Sequence, residues 1–496
     1  MQRCDTLVRG ATVVDGTGGP PARADVAISG GRVAAVGDLD PRLWRAEETH
    51  DAAGLVLSPG FVDVHTHDDT SVVQAPAMWP KLSQGVTTVV VGNCGISAAP
   101  VRPDARWNGV VPDPMHLLGR AEDFSYPTFA AYRDAVGRAR PAVNVAALVG
   151  HTALRANHLD QLGRAATAAE VAAMRGELCD ALAGGALGLS TGLAYANARH
   201  APTEEVLALA EPLAAAGALY TTHIRSEFAE ILDALDEAVR VGRHARVPVL
   251  VSHLKCAGRE NWGRSGEVLA LLDEARRAHA VDPEHVGWDC YPYAAGSSTL
   301  DLGQVTDAIE ITVTWSDPHP EAGGRSLAAV AAEWGLPLVD AARRLQPAGA
   351  IYHAMSEEDV RRILRHPATV IGSDGLPNDP RPHPRLWGTF PRVLGHYCRD
   401  LGLFPLTEAV HKMTGLPARR FGLAERGLVR EGYWADLVLF DPARVRDVAT
   451  YADPQRPAAG IAAVWVNGVL ASRGRRPTGE RAGRFLSRAA GPPRPH

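Results

Sequence analysis

Two histidines one residue apart, His65 and His67 in "FVDVHTH", close a short apolar run. In an extended chain positions i and i+2 face the same side, so both imidazoles can approach one ion. A second apolar run, "TTVVVGNCG", ends on Cys94 beside Asn93, with Gly92 and Gly95 around the pair. A thiolate binds a metal tightly or bridges two, and the glycines let backbone and ion come close. "YTTHIRSE" and "LVSHLK" each end an apolar run on a histidine, His223 and His253, and "VIGSDG" ends on Asp374. Each residue alone has an ordinary explanation: a hydrogen-bonded histidine, a packed cysteine, a turn aspartate before glycine. Together they form a Cys/His/carboxylate set suited to zinc, a redox-silent ion that accepts thiolate and imidazole in tetrahedral sites.

The elements that must position this set recur in order: "FVDVHTH", "TTVVVGNCG", "VNVAALVGH", "ALGLSTG", "ALYTTHIR", "VPVLVSHLK", "HVGWDCYPY" and "ATVIGSDG". Each is apolar at its start and polar at its end, and helical stretches lie between them. "TAAEVAAMRGELCDALAGG" opens on a Thr167 to Glu170 capping box and stops at Gly184-Gly185, "TEEVLALAEPLAAAG" starts on Thr203, and "SEEDVRRILRH" starts on Ser356. Eight such strands alternating with helices predict an α/β fold, a (β/α)8 TIM-like barrel with its chemistry on the C-terminal rim. The barrel is expected over 58–420, with an insertion at about 301–350 that reads as a lid or binding loop. Short Val-rich segments between turn clusters at both ends predict small antiparallel strands that meet in a β-sandwich built from 1–57 and 421–480. Residues 481–496 form a tail that frays at "AAGPPRPH".

The chain has 496 residues, enough for a large catalytic unit and an accessory one. With 46% hydrophobic and 22% charged residues and a net charge of -5, it carries no basic footprint for nucleic acid. No apolar run reaches the roughly 18 residues of a membrane span, and "MQRCDTLVRGATVV" lacks a signal peptide's apolar core, so a cytoplasmic location is expected. The cysteines Cys4, Cys94, Cys179, Cys256, Cys290 and Cys398 show no CxxC pair, which argues against a disulfide framework or a zinc finger. Of 51 basic residues only Lys81, Lys255 and Lys412 are lysines, so a lysine here answers a need that arginine does not meet.

The stretches "SPGFVDVHTHDDT", "GVTTVVVGNCGIS", "THIRSE", "VSHLK" and "IGSDGLPNDPRPHPRLWGTFPRVLG" resemble the D-aminoacylase (N-acyl-D-amino-acid deacylase) branch of the metal-dependent amidohydrolase superfamily. The resemblance runs on through "MTGLPARRFGL" and "VREGYWADLVLFDP". It implies that Cys94, His223 and His253 hold one tightly bound zinc, that His65 and His67 lie near a second, weakly occupied position, and that Asp374 is the acid/base. Many superfamily members bridge their metals with a carboxylated lysine, and this branch uses a cysteine instead. The sequence follows the branch: only Lys255, two residues after His253, stands near the end of a barrel strand. Lys255 therefore reads as a substrate contact whose point charge faces an anion. The resemblance gives Arg385 in "PHPRLW" the same task, with Tyr291 and Ser297 in "DCYPYAAGSS" hydrogen-bonding the same carboxylate. A solvated lysine and a core tyrosine are the plain alternatives. Tyr195 in "GLAYA" fits a pocket wall or the core, and Cys290 is read as packing.

The expected reaction is zinc-dependent hydrolysis of an N-acyl-D-amino acid, a small-molecule substrate. Lys255 and Arg385 speak only to the α-carboxylate, which favours neutral, hydrophobic side chains. N-acyl-D-glutamate or N-acyl-D-aspartate deacylation is the alternative within the branch, and a hydantoinase- or dihydroorotase-type cyclic-amide hydrolase is the alternative beyond it. A non-catalytic scaffold barrel would lack the aspartate or the histidines, and all are present.

Overall fold

Two textures of strand separate in the burial pattern. The computed structural model describes residues 2–103, 110–278 and 283–487. In it Val86–Val91 is buried at every position, as a strand covered on both faces must be, whereas Trp44–Asp51 alternates half-buried and exposed. The barrel is built from strands of the first kind, His223 alone among their residues being half-buried. In order they are Phe61–Asp63, Val86–Val91, Asn144–Ala147 with Val149–Gly150, Gly188–Gly192, Leu219–His223, Val249–Val251, Val286–Cys290 and Thr369–Ile371, each parallel to the next. The third strand is split at Leu148: its first piece pairs with the second strand and its last piece with the fourth. The ring closes between the eighth and first strands at their rim ends. There Asp374 N–H donates to His65 O at 2.7 Å and His67 N–H to Gly375 O at 3.0 Å.

The terminal segments join in one sheet of nine strands among the described residues, with Val56–Pro59 from the front paired to Leu437–Phe440 from the back. Along one edge of Gln2–Val13 the first half pairs with Trp44–Asp51 and the last two residues with Val56–Pro59, so the sheet forks and packs as two lobes. Both of these pairings are parallel, which corrects the expectation of purely antiparallel strands here. Of the tail set apart at 481–496, residues 484–486 fill the gap between the third and fourth barrel strands on the floor. Val145 N–H donates to Arg484 O at 2.9 Å and Leu486 N–H to Val145 O at 2.7 Å. "AAGPPRPH" lies outside the described residues.

The helix signals act locally. Thr167 and Glu170 make the reciprocal capping box on Ala168–Ala183, and Ser356 caps Glu357–Arg365. Thr203 is the first residue of Thr203–Ala215, but its hydroxyl binds Glu237 at 2.7 Å instead of capping the helix. The insertion is a small α/β unit with its own core. Gly296–Thr299, Ala348–Tyr352 and Ile311–Ser316 pair antiparallel, and Leu327–Trp334 and Leu338–Leu345 cover them. Among the described residues no helix is long and apolar enough to cross a membrane.

Candidate metal centre and active site

The nominated metal ligands and Asp374 sit at or just past the rim ends of barrel strands, where side chains leave the packed core, while Arg385 opens the helix Arg385–Arg392 and Ser297 lies on the insertion strand Gly296–Thr299. Three of them depart from ordinary backbone: Cys94, His253 and Asp374 have φ of 53°, 36° and 50°. Left-handed backbone at a non-glycine residue costs energy and persists only where the surroundings enforce it. Around Cys94 the enforcement is visible: a Cβ on Gly95 would lie 2.6 Å from Gly192 N, and one on Gly192 would lie 2.1 Å from Cys94 O. The glycines let the second and fourth strands touch, and that contact turns the thiol toward the barrel axis.

Cys94 Sγ lies 3.2 Å from His65 Nε2 and 3.3 Å from His253 Nε2. Asp374 Oδ1 is 3.1 Å from His67 Nε2 and 3.4 Å from His65 Nε2. The donor atoms of His65, Cys94, His253 and Asp374 all fall within 4.8 Å of one another, as do those of His223, Glu227 and His253. The fold therefore draws together the residues nominated for metal. Two of them retain a buried ring nitrogen with no partner, Nδ1 of His67 and Nδ1 of His223. Buried polar atoms are nearly always satisfied, so these orphans and a thiolate among imidazoles fit a bound zinc.

The charges favour such an ion. Burial pushes the Cys94 thiol up, but His65 and His253 beside it hold it well below its ordinary value. Burial likewise opposes the Asp374 carboxylate, and Arg385, His65 and His67 outweigh it, so it stays ionised far below the usual range. Burial lowers His67, yet its bond to Asp374 raises it to about 9. An anionic thiolate and carboxylate with histidines poised around them is the balance expected of a site that trades protons for a cation.

Above this floor opens a cavity of about 1310 Å³ that His67, Tyr195, His223, His253, Lys255, Tyr291, Ser297, Asp374 and Arg385 all line. Tyr195 is thus on the wall, its ring 4.9 Å edge-on from that of His223. Lys255 and Arg385 both face the Tyr291 ring, at 5.7 and 4.6 Å. Arg385 also contacts Asp374 Oδ2 at 2.8 Å and donates to Ser297 O at 3.0 Å. The Ser297 hydroxyl donates to Ala350 O at 3.2 Å. Leu300, Leu302 and Gln304 of the insertion complete the wall, so this segment does face the site. Cys290 is buried, and burial raises its thiol beyond ordinary reactivity.

Two residues escaped sequence reasoning although they lie inside the quoted stretches. Glu227 of "THIRSE" accepts from Lys255 Nζ at 2.6 Å and lies 3.0 Å from His253 Nδ1. Asp289 of "WDCYPY" bonds His65 Nδ1 at 3.1 Å and accepts from His253 N–H at 3.0 Å. A carboxylate behind a ligating histidine fixes its tautomer and ring orientation. The spacing of Glu227, four residues beyond His223, was the signal available.

A closed parallel barrel with His-x-His after its first strand, further histidines after the fifth and sixth, and an aspartate after the eighth defines the metal-dependent amidohydrolase class. Comparison with known proteins agrees: the amidohydrolase family matches residues 48–471, and the chain belongs to that family. It is 50% identical to D-aminoacylase of Alcaligenes xylosoxydans xylosoxydans over 99% of both chains. It is 48% identical to N-acyl-D-aspartate deacylase of the same organism over 98% of this chain and 95% of that one. The crystal structure of N-acyl-D-glutamate deacylase from Bordetella bronchiseptica, complexed with zinc and a phosphonate inhibitor, superposes with a TM-score of 0.92. Its identity is 45%, covering 98% of this chain and all (100%) of that one.

Proposed function

We propose that this enzyme hydrolyses N-acyl-D-amino acids with zinc, releasing a carboxylate and a free D-amino acid with a neutral, hydrophobic side chain. One observation carries the reading: a thiolate-bearing Cys94 stands between His65 and His253 where a carboxylated lysine would serve a cyclic-amide hydrolase. Cys94, His223 and His253 would hold the tight zinc, with His65, His67 and Asp374 beside a weaker second position. When bound, zinc polarises the scissile carbonyl and lowers the pKa of water toward ~7. Asp374, ionised and oriented by Arg385, takes a proton at its carboxylate from the attacking water and returns it to the departing amine, which leaves badly unprotonated. Lys255 donates to Glu227, which also accepts the His253 Nδ1 proton and so leaves Nε2 free for a metal, and the remaining donors of Lys255 are left for the substrate carboxylate. With Arg385 across the Tyr291 ring, it fixes the α-carbon so that one hand alone presents the acyl group to the floor.

The side-chain preference rests on the wall. Apart from Lys255 and Arg385, the basic side chains of Lys and Arg bordering the cavity among the described residues are Arg225, which is paired to Glu237 at 2.8 Å, and Arg199 at the exposed rim. The insertion lines the cavity with Leu300, Asp301, Leu302 and Gln304, none of them basic. Among the described residues a D-glutamate or D-aspartate side chain would thus meet no unpaired buried cation beyond those assigned to the α-carboxylate. The six cysteines, all free, fit a reducing cytoplasm, where we place the reaction. Acetate release from N-acetyl-D-methionine, N-acetyl-L-methionine and N-acetyl-D-glutamate, before and after chelation and zinc resupply, tests all of this. Zinc-dependent release from the D-methionine derivative is expected to exceed that from the D-glutamate one by at least about tenfold. The reverse order would refute the side-chain assignment, and equal rates on both hands of methionine would refute the clamp.

A further inference from the structure

Lys81 lies on Trp79–Leu82, outside the cavity wall, and is fully buried. Its Nζ sits 2.8 Å from Asp63 Oδ2, 2.8 Å from Thr66 Oγ1, 2.8 Å from Ser373 Oγ and 3.2 Å from Asp68 Oδ2. Each of these partners is a close sequence neighbour of a residue of the centre. Thr66 stands between His65 and His67, Asp68 follows His67, Ser373 precedes Asp374, and Asp63 is two residues before His65. The partners also bond one another: Ser373 Oγ donates to Asp63 Oδ2 at 2.6 Å, Ser373 N–H to Asp63 Oδ1 at 2.8 Å, and Thr66 Oγ1 to Asp68 Oδ2 at 2.7 Å.

We propose that Lys81 is a positioning residue for the His65, His67 and Asp374 half of the centre, its ammonium clamping the first and eighth strands directly beneath the three side chains. A compact ammonium with three donors can serve acceptors crowded around one point, whereas the planar arginine fork spreads its donors across a plane. That accounts for a lysine in a chain that otherwise uses arginine. The same clamp explains the left-handed backbone of Asp374. Ser373 Oγ accepts from Gly375 N–H at 3.1 Å, so the turn is tied on both sides of the aspartate. A Cβ on Gly375 would lie 3.0 Å from Lys81 Nζ and 2.7 Å from Leu386 Cδ1, so the network also dictates that glycine. Two buried carboxylates compensate one buried ammonium, a geometry that holds only while all partners remain.

The test compares Lys81→Met, which keeps the stem and removes the charge, with Ser373→Ala, a smaller cut beside Asp374. Each variant is assayed on N-acetyl-D-methionine and titrated with Zn2+ against a competing chelator. The first zinc equivalent is expected to bind as in the wild type, while kcat falls about a hundredfold in Lys81→Met and about tenfold in Ser373→Ala, with KM changed less than about threefold. An unchanged kcat in both variants would overturn the proposal. So would parallel loss of thermal stability and of the first zinc equivalent, the mark of a merely structural role. The substrate comes from the function proposed above, so a wild type silent on it would sink that reading alone. The positioning role is then read from a second zinc equivalent, expected to weaken about tenfold in both variants, and unaltered binding there would overturn it.

Discussion

On one side of the centre, Cys94, His223 and His253 come from the second, fifth and sixth barrel strands, and on the other His65, His67 and Asp374 come from the first and eighth. The first side holds a thiolate and imidazoles, with Glu227 as its supporting carboxylate and Tyr195 against it. On the second side the donors are engaged with one another and with ions: His67 with Asp374, Asp374 with Arg385, His65 with Asp289. What separates the two sides is ligand softness: the first contributes the thiolate of Cys94, whereas the second offers only imidazoles and a carboxylate already paired with Arg385. The same difference splits the two lysines. Lys255 stands open to the cavity on the first side, and Lys81 is sealed beneath the second.

The largest break in this comparison comes from one substitution on each side. Cys94→Ala is expected to lose tightly bound zinc and activity together, by about a thousandfold or more in turnover. Asp374→Asn is expected to keep the zinc and lose about 10² to 10⁴ in kcat. Metal analysis beside steady-state kinetics reads both, and a Cys94→Ala protein with full zinc content would erase the distinction. A smaller effect sharpens the first side. Glu227→Gln removes the partner of both His253 and Lys255, and about a 10- to 100-fold loss of activity or zinc affinity is expected. Wild-type values for both would show that Glu227 is a bystander.

The smallest effect lies at the third strand, where His151 ends its run on the same rim yet is spent at 2.9 Å on Glu205, which also pairs with buried Arg155. Burial raises the Glu205 carboxyl, but His151 and Arg155 hold it near about 2 against an ordinary 4.5. A carboxylate depressed on folding stabilises above its unfolded pKa, and that stability fades as pH falls through the folded value. The melting-temperature gap between wild type and Glu205→Gln is therefore expected to be full at pH 6 and to shrink between about 4.5 and about 2. A gap independent of pH would show that the ion pair contributes nothing.

Much of this was legible before any coordinates. Apolar runs with polar ends mark the barrel strands, and the residues at those ends are the ones the barrel gathers on one rim, because period-2 geometry and rim placement follow from local chain direction. Tyr195 could not be assigned, since wall and core look alike in sequence and differ only in what packs opposite. In the sequence Lys81 stands out only by its scarcity, because its partners at 63, 66, 68 and 373 meet only when the barrel closes. The insertion was placed at 301–350, but its sheet begins at Gly296 and ends at Tyr352, since antiparallel pairing there depends on a strand returning after a long excursion.

What the sequence by itself determined is the list of chemical groups and the strand ends that carry them: a cysteine, four histidines, an aspartate and two cations at fixed places along an alternating pattern. What only the tertiary structure decided is the pairing. Which carboxylate orients which histidine, which lysine faces the cavity and which is sealed below, and why three of these residues tolerate left-handed backbone all depend on contacts between different strands: the first with the seventh and eighth, the second with the fourth, the fifth with the sixth, the sixth with the seventh. The His65–Asp289 contact alone spans 224 residues of chain. Local propensity acts over a few residues, whereas barrel closure sets distances between atoms the chain itself leaves unrelated.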